Sequence, residues 1–178
     1  MKKLAIIALV VAVGVTAAYA SSVKVPWFID TAAVGAGVPG SSAGVTGIVT
    51  LASNRTDTLV CAISYYNAGG DLLGPFAPDN TFTISPLSSL AFRPCVDDPG
   101  TAPGGQEGAQ GVAVPNRPRS PDTSTVIPGT TVIDKKKNGS IVIQWVGGDA
   151  DVQGQVAYFQ TAGTGQTMSY AHLLPPGV

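Results

Sequence analysis

The sequence is poor in charge: 12% of its 178 residues are Asp, Glu, Lys or Arg, and the formal net charge at pH 7 is −1. Nucleic-acid binding requires a clustered basic face, so we expect no nucleic-acid partner. Glutamate occurs once, at Glu107, and periodic stretches rich in helix formers are missing, whereas Gly and Pro number 22 and 14. Because helix formers are what a helical protein uses on its surface, this composition favours strands and turns.

Long apolar runs are also scarce, and the clearest one lies near the start of the chain. Lys2 and Lys3 precede an apolar stretch from Leu4 to Val15, and Ala18-Tyr19-Ala20 follows it. A basic start, a short apolar core and an A-x-A exit predict a signal peptide over residues 1–20. The stretch is shorter than the roughly 20 residues that span a bilayer. We therefore expect Sec export, no stable membrane span after cleavage, and a secreted, periplasmic or cell-surface protein.

Cysteine and histidine are rare, which limits redox and metal chemistry. Cys61 and Cys95 are the only cysteines and His172 is the only histidine. In an oxidising compartment an isolated cysteine pair usually forms one disulfide, so we predict a Cys61–Cys95 bond, with two buried free thiols or a reactive thiol as alternatives. Zinc takes three or four protein ligands, and this set of residues does not predict such a site.

Residues 21–178 predict a single all-β domain. The strands are expected at 23–29, 45–52, 58–66, 81–85, 89–93, 130–134, 140–146, 155–160 and 167–174. We expect the second and third of these strands to form a hairpin, and Asn138-Gly139 to turn another, because Asn-Gly is a strong hairpin signal. Seven to nine short strands predict an antiparallel β-sandwich, immunoglobulin-like or similar. A small β-barrel is the alternative.

Two segments are expected to be irregular. Residues 21–44 begin with the first strand and continue as a Gly/Ala/Ser-rich loop, forming an N-terminal arm and loop. Residues 96–126 contain five Gly, five Pro and no aromatic residue. Loops longer than about 12–15 residues are uncommon in compact domains and are either functional or flexible. We favour a flexible or irregularly ordered loop over 96–126.

The first predicted strand has a second interpretation. Val23, Val25, Trp27 and Ile29 alternate and should share one apolar face. Pro26 cannot donate to a ladder, which predicts an edge strand or an extended arm. Such a segment could pair with the sheet of a neighbouring subunit by β-strand addition. Pairing within its own sheet is the alternative that we favour.

Two short motifs suggest chemistry. Asp149, Asp151 and Gln153 resemble the beginning of a calcium loop, although the acid expected at its twelfth position is replaced by Gln160. Calcium is the one cofactor that we consider. Ser42 lies in a G-x-S-x-G sequence like that of serine hydrolases. That elbow joins a strand to a helix, whereas here a strand is expected to follow, so catalysis by Ser42 is the weakest hypothesis.

The aromatic residues offer one possible binding surface. Most of them should fill the core, but Tyr66 is expected to point outwards because Tyr65 takes the inner face. Tyr66 and Trp27 are therefore the candidates for stacking against a sugar or another ligand. We expect a non-enzymatic structural or interaction protein of a bacterial cell exterior, a surface, filament or matrix subunit, with self-assembly, other cell-surface proteins or glycans as partners. A secreted carbohydrate- or ligand-binding module is the alternative.

Overall fold

Nine β-strands form most of the regular structure in a computed structural model that describes residues 21–31, 44–94, 114–118, 138–162 and 165–173, with side chains described up to residue 160. The strands are β1 (Ser21–Ile29), β2 (Gly44–Ser53), β3 (Leu59–Asn67), β4 (Leu72–Gly74), β5 (Thr81–Ile84), β6 (Ser89–Phe92), β7 (Asn138–Trp145), β8 (Val152–Ala162) and β9 (Gly165–Leu173). A 3-10 turn, Asp149–Asp151, precedes β8. No helix within these ranges is long and apolar enough to cross a membrane.

The strands form two antiparallel sheets. Sheet A has the order β1-β7-β3-β4, with β5 also paired to β3, and sheet B has the order β6-β2-β8-β9. Every strand pair is antiparallel. The predicted all-β antiparallel sandwich is therefore confirmed. The described strands include β4, which was not predicted, and the strand predicted at 130–134 lies outside the described residues. The immunoglobulin-like topology stays a prediction.

The core consists of the alternating inward residues of both sheets. In β3 the buried face is the predicted one, with Leu59, Cys61, Ile63 and Tyr65 all at most 3% exposed. The predicted inward residues of β5, β6 and β7 are also buried; these are Phe82, Ile84, Leu90, Phe92, Ile141, Ile143 and Trp145. A strand that presents apolar residues at every second position buries one whole face in this way.

Two predicted hairpins are wrong. β2 pairs with β6 and β8, whereas β3 pairs with β7, β5 and β4, so the connection between β2 and β3 crosses from one sheet to the other. Asn138 and Gly139 are the first two residues of β7: Asn138 pairs with β1, and Gly139 pairs with both β1 and β3. A Cβ atom at Gly139 would overlap the carbonyl oxygen of Tyr66. Glycine is needed here for a close backbone approach and not for a turn.

The described part of the predicted 96–126 loop packs against the domain. Residues 114–118 have no regular secondary structure, yet Val114 belongs to the hydrophobic core and Arg117 is buried. This short segment therefore contributes to the core, which the composition of the loop did not predict. The remainder of 96–126 lies outside the described residues.

Candidate functional site

The first strand contains a β-bulge at its proline. Val25 pairs with Ile141 and Phe28 pairs with Gly139, so β1 has one more residue than β7 over this interval. Pro26 has no backbone N–H to donate, and a bulge accommodates such a residue in an edge strand. The extra residue reverses the alternation of side chains that follows it.

Because of the bulge, the buried face of β1 differs from the predicted one. Val23 and Val25 are buried as expected, but Phe28 replaces Trp27 as the third inward residue. Phe28 is 0% exposed, whereas Trp27 is 45% exposed and Ile29 is half-buried. The alternation through Trp27 and Ile29 was therefore wrong, because it assumed an uninterrupted strand across Pro26.

The bulge places Trp27 in a row of residues on the outer face of sheet A. Tyr66 pairs with Ser140 of β7 and with Leu72 of β4. Pro26 and Trp27 are the two β1 residues between the pairs that flank the bulge, and both lie opposite Ser140 of β7. Tyr66 is half-buried and Leu72 is 46% exposed. The two predicted stacking residues thus lie on strands separated only by β7.

The end of β1 is held by polar contacts that the sequence did not predict. Arg93 Nε donates to Asp30 Oδ1 over 2.7 Å, and both side chains are almost completely buried. Thr31 N donates to the carbonyl of Val45 over 2.8 Å, while Tyr158 Oη donates to the carbonyl of Trp27. These contacts join the carboxyl end of β1 to β2, to β8 and to the residue after β6.

A second buried cation, Arg117, lies beside the same strand. Its guanidinium carbon is 5.8 Å from the centroid of the Phe28 ring, and its Nε donates to the carbonyl of Pro94 over 3.1 Å. The Phe28 ring packs edge-on against Tyr65, whose hydroxyl donates to the carbonyl of Pro115. Arg93 follows β6 and Arg117 lies in a Gly/Pro-rich segment. Neither position gives a sequence signal for burial, so both residues were missed.

Arg55 connects the turn after β2 to the 3-10 turn before β8. Its guanidinium donates two hydrogen bonds of 2.8 Å to the carboxylate of Asp57 and one of 3.1 Å to Asp151. The hydrogen bonds to Arg55 lower the pKa of Asp57, and those to Asp57 and Asp151 raise the pKa of Arg55. Asn54 Nδ2 also donates to the carbonyl of Ala150. This cluster fixes two loops against each other.

The calcium candidates lie at this cluster. Besides accepting from Arg55, the Asp151 carboxylate accepts a 2.9 Å hydrogen bond from Gly148 N. Asp149 is exposed in the 3-10 turn, and Gln153 is exposed on β8, where it pairs with Ala52. Asp151 is therefore already bound to a cation of the chain itself. Calcium binding by Asp149, Asp151 and Gln153 stays a prediction.

Cys61 is a buried free thiol in this structure. It lies on the inner face of β3, paired with Trp145 and Phe82. Burial raises the pKa of this thiol to about 12. Cys95 lies outside the described residues, so the predicted disulfide stays a prediction.

The remaining candidates have no described geometry. Ser42 lies outside the described residues, and so do the side chain of His172 and the predicted signal peptide at 1–20. Among the side chains that the structure describes, no three His, Cys, Asp or Glu residues are grouped as metal ligands.

Comparison with protein-family models, with curated proteins and with solved structures gives no match to this chain.

Proposed function

We propose that the chain is an exported, non-enzymatic structural or interaction protein of a bacterial cell exterior. We further propose that β1, which pairs with β7 of its own chain here, can also be exchanged with a neighbouring copy by β-strand addition through residues 23–29. The observation that supports this most directly is the position of β1. It inserts Val23, Val25 and Phe28 into the core, yet it forms the edge of sheet A and its ladder within the described residues is with β7. A strand of this kind can be supplied by a neighbouring copy with no change in the contacts that it makes.

The sequence after β1 is compatible with such an exchange. Residues 32–43 consist only of Ala, Gly, Ser, Val and Pro, without a charged or aromatic side chain. This composition places no bulky or charged side chain between Thr31 and β2. In an exchanged pair, Asp30 of one copy would form the buried ion pair with Arg93 of the other. The same contact then holds the end of β1 in place within one chain or between two.

Cross-linking in register tests the exchange directly. Ser22 and Gln144 are ladder partners on the half-buried outer face of sheet A, and directly opposed strand positions are close enough for a disulfide. Ser22→Cys and Gln144→Cys are made in separate chains that lack Cys61 and Cys95, mixed in denaturant, refolded and oxidised. We expect a covalent dimer between the two variants.

The matched control shifts one cysteine by two positions along the strand. Lys24→Cys replaces Ser22→Cys; Lys24 pairs with Val142 and not with Gln144, so it should give no covalent dimer. If the Ser22 and Gln144 cysteines react only when one chain carries both, β1 is not exchanged. That result overturns the proposal.

A glycan-binding function is the second candidate, favoured by the exposure of Trp27. Trp27 and Tyr66 lie on β1 and β3, two strand spacings or about 9–10 Å apart, with the hydroxyl residue Ser140 on the strand between them. An exposed aromatic side chain beside neutral hydroxyl groups suits the apolar face of a sugar ring and its hydroxyls.

Affinity electrophoresis in gels containing neutral β-glucans tests this candidate. The wild-type protein should be retarded, and Trp27→Ala should lose the retardation. Leu87→Ala is the matched control, because Leu87 is another exposed apolar residue, 68% exposed, located in the turn between β5 and β6. If Trp27→Ala migrates with the wild-type protein, the surface formed by Trp27, Ser140 and Tyr66 is not a glycan site.

A further inference from the structure

The edges of the two sheets differ in how they are protected against pairing with another strand. An unprotected edge presents unpaired N–H and C=O groups, and proteins usually shorten it or place charge, proline or a bulge there. β4, β5 and β6 have only three or four residues each. β1 carries Lys24, Pro26 and a bulge. These four strands therefore carry the usual protective features.

β9 has one of these features, a β-bulge at Thr167 in its ladder with β8, but it lacks the others. It has nine residues, Gly165–Leu173, which contain neither proline nor a charged Asp, Glu, Lys or Arg side chain. In its ladder with β8, Gly165 pairs with Ala162 at one end and Leu173 pairs with Gln155 at the other. Within the described ranges no strand pairs with the other side of β9. After the bulge, Met168 to Leu173 pair with β8 without interruption, and at about 3.4 Å per residue this part of the edge extends for roughly 20 Å. Among the described strands, β9 is therefore a long edge that has neither proline nor an Asp, Glu, Lys or Arg residue.

We infer that β9 pairs antiparallel with β9 of a second copy, so that sheet B continues across a two-fold axis. A two-fold interface brings the same strand of two copies together, so a charged residue on that strand comes close to the like charge of the second copy. A strand without Asp, Glu, Lys or Arg avoids this repulsion. All strand pairs in this fold are antiparallel, and a two-fold axis perpendicular to the sheet produces that same arrangement between copies. The contact deepens the proposed self-assembly but uses a different strand from the exchange of β1.

Lysine substitutions on β9 test the contact in the full chain. Ser169 and Ala171 pair with Phe159 and Ala157, the half-buried positions of β8. In a two-fold pairing each added lysine occurs twice in one interface, so Ser169→Lys and Ala171→Lys should each raise the dimer dissociation constant about ten-fold. Thr83→Lys is the matched control, since it adds the same charge to an exposed position of the edge strand β5. It should leave the dissociation constant unchanged.

Sedimentation analysis over a concentration series gives the dissociation constants, and near-UV circular dichroism reports whether each variant is folded. A wild-type protein that stays monomeric overturns the inference, as does an equal effect of Ser169→Lys and Thr83→Lys. A monomer would mean that another segment of the same chain covers the edge or that the edge stays free.

A cysteine scan keeps the inference testable if a lysine variant fails to fold. Single cysteines from Thr167 to Ala171, in chains without Cys61 and Cys95, should form covalent dimers only around the position where β9 meets its own copy. Equal or absent dimer formation along the strand overturns the inference. Because this scan leaves β1 unchanged, and the Ser22–Gln144 cross-link leaves β9 unchanged, each proposal can fail without the other.

Discussion

The Arg93 guanidinium and the Asp30 carboxylate form a buried ion pair, with 2.7 Å between Nε and Oδ1 and with side chains that are 1% and 4% exposed. Removing Asp30 takes away a carboxylate that Arg93 contacts in the protein interior. We expect Asp30→Ala to lower the free energy of unfolding by about 3–5 kcal/mol. Chemical denaturation of the purified variant measures this loss.

The double variant Asp30→Leu/Arg93→Leu separates the charge from the packing. Replacing both partners of a buried pair by apolar residues is often close to neutral, so this variant should be more stable than Asp30→Ala alone. If both variants lose the same stability, the charge of Arg93 is compensated elsewhere. Asp57→Asn is the exposed control: Asp57 pairs with Arg55 at the surface, where an ion pair contributes little.

The β-bulge in β1 predicts unequal effects at two adjacent aromatic residues. Phe28 is fully buried and packs between Tyr65 and Arg117, whereas Trp27 is 45% exposed. Phe28→Ala should cost about 3–5 kcal/mol of stability because it leaves a core cavity, and Trp27→Ala should cost much less. Denaturation curves of the two variants measure the difference. A larger loss for Trp27→Ala would restore the uninterrupted alternation that the sequence suggested.

Gly139 should tolerate no side chain. An alanine Cβ there would overlap the carbonyl oxygen of Tyr66, and neither backbone can move without breaking the ladder between β3 and β7. We expect Gly139→Ala to cost about 1–3 kcal/mol, the usual range for overpacking. Gly148→Ala is the control, because its Cβ would meet Asp151 at an ordinary distance of 3.8 Å. A thermal unfolding scan of the two variants that finds equal losses would contradict the close approach at Gly139.

The buried thiol of Cys61 predicts a loss of stability at alkaline pH. Its folded-state pKa is about 12, whereas an unfolded cysteine ionises near 8.5. Above about pH 8.5 the unfolded state releases a proton that the folded state keeps, so unfolding becomes more favourable as pH rises. In the Cys95→Ala variant this contribution is complete below that pH and is lost progressively towards pH 12. Denaturation at several pH values measures the slope, and Cys61→Ala in the same background should remove it.

Thiol counting on the wild-type chain decides the state of the cysteine pair. A Cys61–Cys95 disulfide gives no reactive thiol in either the native or the denatured protein. Free cysteines would react in denaturant, and Cys61 would then react slowly in the native state because only the thiolate is a nucleophile. A fast native reaction at Cys61 would contradict its burial.

The contacts of Asp151 predict that chelators leave stability unchanged. The carboxylate is bound to Arg55 and to Gly148 N, so a calcium ion would have to displace a cation of the chain. Thermal unfolding with added calcium and with a chelator should give the same midpoint. A higher midpoint in calcium that disappears in Asp151→Asn would instead support the calcium loop.

The alternating patterns predicted most of the described strands and most of the core. Leu59 to Tyr65 and Ile141 to Trp145 follow the period of two without interruption, so their buried faces could be read from the sequence. β1 could not be read in the same way, because whether Pro26 is skipped by a bulge depends on how β7 pairs with it. The same pattern was correct on one side of the proline and wrong on the other.

Pairing between strands was harder to predict than the strands themselves. The sequence between β2 and β3 looks like a hairpin turn, but this connection crosses from one sheet to the other. β3 does not pair with β2, because β6 and β8 occupy the two sides of β2. Gly139 gave a turn signal because glycine is permissive in many settings; its actual requirement comes from Tyr66, a residue distant in the chain. Arg93, Asp30 and Arg117 had no local signal at all, since their burial is created by packing.

The ladder between β1 and β7 joins the beginning of the domain to a late part of the chain. Ser21 pairs with Trp145, and the Ser21 hydroxyl donates to the carbonyl of Gly147. β1 therefore leaves the ribosome long before its partner has been made, and sheet A cannot be completed until β7 has emerged. Pairings between such distant residues slow folding, so the newly made chain spends an extended period with the apolar side of its first strand uncovered.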